Sequence, residues 1–193
     1  MASTLLTVGH GTLAQEDFAG LLLTAGVEGL VDVRIAPGSR RHPHFSRDRM
    51  AGWVPAAGIA YEWRRDLGGF RKPRADSPNR ALRNDSFRGY ADYMATPEFV
   101  TALDEVLAEA GRRQMAVMCS EAVWWRCHRR LIADAVVVGR GGGVEHLMHD
   151  GRRQPHRPTD GVRRRGDGVV YDVGVTPPLL TGTDSPGAGQ APS

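Results

Sequence analysis

Lysine is almost missing from this chain: Lys72 is the only one in 193 residues. Cysteine is nearly as scarce, with two, and no uncharged apolar stretch approaches the ~18–20 residues that a membrane span requires. No transmembrane helix and no membrane partner are therefore expected. The opening stretch MASTLLTVGHGT has neither a basic leader nor the apolar run of a secretion signal, so it reads as a first strand and the protein as cytoplasmic. Two cysteines in that compartment are expected as thiols, metal ligands or redox groups rather than as a structural bridge. Internal repeats are absent as well. The shortage of lysine puts nearly all positive charge on arginine, yet the net charge is only +3. Codon bias accounts for such a composition, so charge alone argues weakly for nucleic acid.

What is present suits one α/β domain with its own core, at 41% apolar and 24% charged residues. Apolar runs predict strands over 4–9, 29–34, 59–63, 114–119 and 143–149. Helices are predicted over 16–25, over 46–57 with Ser46 as N-cap, over 86–95, over 97–111 with Thr96 as N-cap and Pro97 following, and over 125–137. Strands alternating with helices imply a single domain with a mostly parallel sheet of about five strands, flanked by helices. That domain spans residues 1–150. Residues 151–173 form an Arg-rich extension whose stretch GRRQPHRPTDGVRRRGDG reads as a solvated basic loop, and 174–193 read as a disordered tail. The Gly/Pro/Arg loop over 64–85 is long enough to be functional or disordered.

In parallel sheets ligands bind beyond the carboxyl ends of the strands. His10, Asp32, Arg34, Cys119 and Glu121 each lie at or just past such an end, so one cleft can gather them. Their spacing in sequence excludes several chemistries. Cys119 and Arg126 are one residue too far apart for the phosphate loop of thiol phosphatases, and Gly141-Gly142-Gly143 follow a helix, so they make no dinucleotide fingerprint. His10, Cys119, Glu121, Cys127 and His128 are metal-ligating types, but the usual short spacing between paired ligands is missing. Cys127 and His128, adjacent on a predicted helix, would also diverge by about 100°. No metal site is expected on these grounds, and no cofactor is identified.

Three uses of the cleft remain. Cys127 at a predicted helix start, beside Arg126, His128 and Arg129, suits an activated thiol nucleophile. Glu121 is the candidate proton acceptor, with His10 and His128 as further proton carriers or anion donors. Arg34, Arg40, Arg41, Arg71 and Arg129 can converge on a phosphate, with Tyr61, Tyr90, Trp124 and Trp125 available to stack on a base.

The same elements carry short motifs that resemble those of the domain of unknown function 488 family. Thr7-Val8-Gly9-His10-Gly11 resembles its opening motif, with Gly11 in place of a serine. Asp32-Val33-Arg34 with Pro37 and Ser39, Leu67-Gly68-Gly69, and Phe87 with Tyr90-Ala91-Asp92-Tyr93-Met94 resemble its central motifs. Cys119-Ser120-Glu121 and Cys127-His128-Arg129 match its Cys-x-Glu and Cys-His-Arg signature, and Val144-Glu145-His146-Leu147 resembles a late motif. The resemblance implies a compact α/β fold whose site is built from these motifs, and it brings in Ser39 and Tyr90 beside Asp32, Arg34, Arg71, Cys119 and Arg129 as ligand-binding candidates. It implies no established reaction. The reading is an enzyme acting on a phosphate-bearing nucleotide or nucleic-acid component, with Cys127, Glu121, His128 and His10 at the chemistry. The alternative is a nucleic-acid-binding or regulatory module with an arginine-lined pocket.

Overall fold

The computed structural model describes residues 4–38 and 41–174. Ser39, Arg40 and the tail read over 174–193 from residue 175 onward lie outside the described residues.

Five parallel strands and one antiparallel edge strand make the main sheet. They are β1 (Thr4–Gly9), β2 (Gly29–Asp32), β3 (Ala60–Trp63), β4 (Met115–Cys119), β5 (Gly143–Leu147) and β6 (Arg153–Pro155), in the order β3-β2-β4-β1-β5-β6. The helices are α1 (Gln15–Thr24), α2 (Arg47–Ala56), α3 (Asp85–Tyr93), α4 (Pro97–Ala110) and α5 (Arg129–Asp134). Alternation along each strand divides the core in two, because successive side chains point to opposite faces. Leu6, Val8, Leu30, Ala116 and Met118 pack with Phe18 and Leu22 of α1 and Met50 and Val54 of α2. Leu5, Val31, Val117 and Cys119 point the other way, into a core with Tyr90, Phe99, Leu103, Val106, Leu131 and Ile132. Cys119 thereby shares a face with α3, α4 and α5. No helix among the described residues is long and apolar enough to cross a membrane.

The helix ends follow local chemistry. Thr96 caps α4 by accepting the Phe99 N–H, and Pro97 occupies the first turn, where its missing N–H costs nothing. Asn84 accepts the Phe87 N–H and caps α3. The single helix expected over 125–137 is instead a 3₁₀ turn (Trp124–Arg126), the six-residue α5 and a π turn (Ala135–Gly139). Cys127 lies between the first two in extended backbone, φ −118° and ψ 151°. The loop over 64–85 is ordered rather than loose. Asp92 accepts from Ser77 Oγ (2.6 Å), Asn79 Nδ2 (2.8 Å) and the Arg74 N–H (2.8 Å), while the Tyr90 hydroxyl donates to the Leu67 carbonyl at 2.7 Å.

The solvated loop expected over 151–168 is replaced by β6 and by a hairpin of β7 (Val162–Arg165) and β8 (Gly168–Tyr171). Its arginines stay outside, as in the Arg163–Asp172 pair at 2.6 Å, but His156 and Tyr171 are buried. Both reach Asp134, which is 0% exposed: His156 Nε2 at 2.9 Å, the Tyr171 hydroxyl at 2.9 Å and the Thr159 N–H at 2.9 Å. His156 Nδ1 lies 2.9 Å from His146 Nε2, and His146 Nδ1 lies 2.6 Å from the Thr7 hydroxyl. The Thr7 oxygen in turn accepts from Arg129 Nη1 at 3.4 Å.

Burial, then the neighbouring His156 and Arg129, push the His146 pKa from 6.5 down to about 3. Unfolded His146 therefore takes up a proton as pH falls below about 6.5, whereas the folded form does not until about 3. Unfolding free energy should fall across that window, by up to about 1.4 kcal/mol per pH unit from this group, and be insensitive to it above pH 7. Denaturant unfolding of the native chain and of His146→Gln at several pH values checks this. The variant should show the shallower acid slope.

Candidate functional site

β1, β2 and β4 end side by side, with Gly9 opposite Cys119 and Asp32 opposite Met118. Past those ends the backbone stays joined: His10 N–H donates to the Cys119 carbonyl, Gly11 N–H to the Ser120 carbonyl, and Val33 N–H to the Met118 carbonyl, each at 3.0 Å. A cleft of about 620 Å³ opens above this seam. Its lining includes His10, Arg34, Cys119, Glu121, Cys127 and His128.

Gly9 is what allows the strand end to meet the loop after β4. A Cβ there would lie 1.9 Å from the Glu121 carbonyl oxygen and 2.8 Å from Ala122 Cα. The same carbonyl accepts a bond from the buried Arg129 guanidinium, so the loop is held from both sides. Glu121 itself is exposed, and its Oε1 accepts the Val123 N–H at 3.0 Å.

Asp32 and Arg34 form a buried fork beneath the cleft, Nε to Oδ1 at 2.8 Å and Nη2 to Oδ2 at 2.5 Å. Tyr61 donates to Asp32 at 2.8 Å, and burial beside that carboxylate holds its phenol pKa above the ordinary value. Arg34 Nη1 also reaches His10 Nε2 at 3.3 Å, while His10 Nδ1 donates to the Gly11 carbonyl at 2.9 Å. Desolvation, then Arg34, lower the His10 pKa from 6.5 to about 4. Neutral and engaged at both nitrogens, His10 is a rigid part of the floor, stacked on Phe45 at 4.0 Å.

The cysteines meet His128 on the same face. Sγ of Cys119 and Sγ of Cys127 lie 4.0 and 3.7 Å from His128 Nδ1, and all three atoms lie within 4.8 Å of one another. His128 Nε2 donates to the Val33 carbonyl at 3.2 Å, so Nδ1 presents its lone pair to the sulfurs. Cys119, by hydrogen bonding, draws the Cys127 thiol down from 9.0 to about 6, helped by the charge and N–H of Arg129. The same bond and burial push Cys119 up to about 12. The neighbouring Cys119 thiol and Arg129, rather than a helix dipole, are the source of the lowering at Cys127. The divergence expected of Cys127 and His128 does not arise either, because Cys127 is extended rather than helical. These three residues are the group able to hold a metal among the described residues.

Other candidates are placed differently. Tyr90 is among the residues lining the cleft, but it is fully buried, edge-on to His128 at 5.1 Å, and supports that ring. Arg71 stacks on Tyr93 at 4.0 Å and Arg129 lies under the floor, so neither lines the cleft. Trp124 is committed to a stack on His146 at 3.9 Å. The lining instead contains Arg126, His42, Phe70 and Phe87, which the sequence reading did not single out as ligand groups. Phe70 is 86% exposed and sits at φ 58°, a backbone region that costs a bulky residue on the order of 1–3 kcal/mol. An aromatic next to glycines in a long loop was the available signal.

A family model described as domain of unknown function DUF488 matches residues 14–136. The chain belongs to the DUF488 family. Searches of curated proteins and of solved structures found no match. The DUF488 match runs from the start of α1 into the π turn, and so contains Asp32, Arg34, Cys119, Glu121, Cys127 and His128 while leaving His10, His146 and His156 outside.

Gly9→Ala should cost at least about 2 kcal/mol, because the new methyl meets backbone on a central strand rather than a yielding side chain. A thermal melt should show it as a fall of about 4–8 °C.

Proposed function

We propose that this cleft is the active site of an enzyme acting on a phosphate-bearing nucleotide or nucleic-acid component. The observation that carries the reading is a continuous surface. The cleft shares Asn84 and Phe87 with a second hollow of about 440 Å³ lined by Arg83, Arg130, Arg157 and Trp125. Reactive side chains thus stand at one end of a surface whose other end carries guanidinium groups and an indole 49% exposed. Arginine forks bind phosphate and aromatic faces stack on bases. Arg130 lies over the Phe87 ring at 5.0 Å, which ties the two ends together.

Roles follow from placement. Arg34 is neutralised by Asp32 and holds the floor, so Arg126 is the guanidinium that meets a phosphate inside the cleft. Phe70 and Phe87 offer rings to a base. Cys119, Cys127 and His128 mark the reacting centre, and Glu121 takes up the proton released there. The strain at Phe70 fits this assignment, since a side chain kept at a costly backbone angle and pointed at solvent serves a ligand better than it serves the fold.

A panel of mono- and dinucleotides and short oligonucleotides, scored by thermal shift and then by product formation, tests the reading. At least one phosphate-bearing class should stabilise the chain and be turned over. Arg126→Gln should weaken binding about tenfold, and Glu121→Gln and Cys127→Ser should abolish turnover without unfolding the protein. Phe70→Gly should raise the melting temperature while weakening base-bearing ligands. If oligonucleotides bind with a steep salt dependence, no compound turns over and Cys127→Ser is silent, the chain is a binding module instead. Absence of any stabilising phosphate compound overturns both readings.

A further inference from the structure

We infer that Cys119, Cys127 and His128 form a three-ligand site for a zinc-like divalent ion, with the fourth coordination position open to the cleft. The argument is first one of distance. A tetrahedral zinc with about 2.3 Å to sulfur and about 2.0–2.1 Å to nitrogen sets sulfur and nitrogen roughly 3.6 Å apart. Here the two sulfur-to-nitrogen distances are 3.7 and 4.0 Å and all three atoms lie within 4.8 Å of one another, so the sulfurs close on the nitrogen by a few tenths of an ångström and on each other by up to about 1 Å, which side-chain rotation supplies.

Orientation is the second support. An imidazole ligand needs its lone pair on the metal side and usually donates its other N–H to a carboxylate or backbone carbonyl. His128 is held that way by Val33. Tyr90, packed against the ring, and Gly69, where a Cβ would lie 3.0 Å from His128 Nδ1, leave the imidazole little freedom to turn away. Donor chemistry is the third: two thiolates and an imidazole are the set that selects a borderline-soft divalent ion over magnesium or calcium. Binding converts both thiols to thiolates, releases whatever thiol protons remain to solvent, and leaves a centre of zero net charge, which a buried position tolerates.

Three protein ligands and one open vertex distinguish a catalytic zinc site from a closed structural one. All three residues line the cleft, so that vertex gives onto the space assigned above to substrate. The inference rests on that assignment for what the ion acts upon. Whether the ion binds depends on the ligands alone, and the two questions are separable.

The test is a cobalt(II) titration of the full chain, reduced and desalted under nitrogen so that the two thiols cannot oxidise to each other. One equivalent should produce a thiolate-to-cobalt charge-transfer band with visible bands of tetrahedral intensity, and zinc should displace it with an apparent Kd of about nanomolar or tighter. Zinc should also release protons in unbuffered solution and block thiol labelling of the folded protein. Cys119→Ser, Cys127→Ser and His128→Ala, each checked for fold by circular dichroism, should each weaken cobalt binding by more than about 100-fold. Should a variant fail to fold, the charge-transfer band of the native chain still decides, because thiolate ligation alone produces it. No charge-transfer band from reduced protein, or binding that survives loss of both cysteines, overturns the inference. A cobalt band without nucleotide binding upholds the ion and removes only the substrate reading; nucleotide binding without the band does the reverse.

Discussion

Two opposite charges buried within the same fold, Arg129 and Asp134, constrain this structure more than any other pair of groups. Neither contacts the other. An isolated buried charge costs several kcal/mol unless its surroundings are polar and aligned. Here the alignment is a file of hydrogen-bonding groups, Thr7, His146 and His156, that joins the guanidinium to the carboxylate. Every member comes from a different part of the chain: β1, β5, the segment after β6, and α5 with its following turn. The file therefore holds the centre of the sheet, the helix behind it and the C-terminal hairpin in one register. Its cationic end lies where Arg129 anchors the Glu121 carbonyl and draws negative charge onto Cys127.

From that anchor the cleft follows. The chain between Cys119 and Arg129 is short and irregular, and it would have many conformations were it not fixed at both ends. At one end Gly9 admits the loop backbone to within contact of β1; at the other the guanidinium holds it. Between them Cys127 takes an extended conformation, and this single backbone choice turns Cys127 and His128 toward one point instead of apart. The Asp32–Arg34 fork and the stacked His10 form the opposite side of the seam. They are polar groups used as masonry, with their hydrogen-bonding capacity spent inside the protein.

Much of the architecture was legible in the sequence because buried parallel strands are apolar runs, and Leu5 to Val8, Leu30 to Val33 and Met115 to Met118 are such runs. Their ends pointed to His10, Asp32, Arg34 and Cys119, since strand ends are where a parallel sheet exposes ligand-facing positions; His10, Arg34 and Cys119 line the cleft there, and Asp32 lies beneath it, paired with Arg34. The stretch from 125 to 137 misled, because Leu131, Ile132, Ala133 and Val136 have helical spacing while the Trp124–Arg126 turn ahead of them leaves no local mark. The basic segment after residue 150 misled for a related reason. Its fold depends on two buried residues, His156 and Tyr171, whose partner Asp134 is distant in sequence, and no periodicity connects them. Trp124 reads as a stacking group because aromatic character is visible in sequence; that His146 already stacks on it is not. Phe70 illustrates the opposite error, being one aromatic in a Gly-rich loop whose unusual φ only the backbone reveals.

The carboxylate on which the file of hydrogen bonds ends, Asp134, draws its donors from residues that follow it in the chain. Asp134 and Arg129 are synthesised well before the hairpin that supplies the Tyr171 hydroxyl and the Thr159 N–H. Until those last residues emerge, the Asp134 carboxylate lacks two of its three donors. The segment most distant in sequence from the cleft is thus the one that closes its foundations. A chain ending before Thr159 would hold all the motif residues and leave the carboxylate behind them short of the Thr159 and Tyr171 donors.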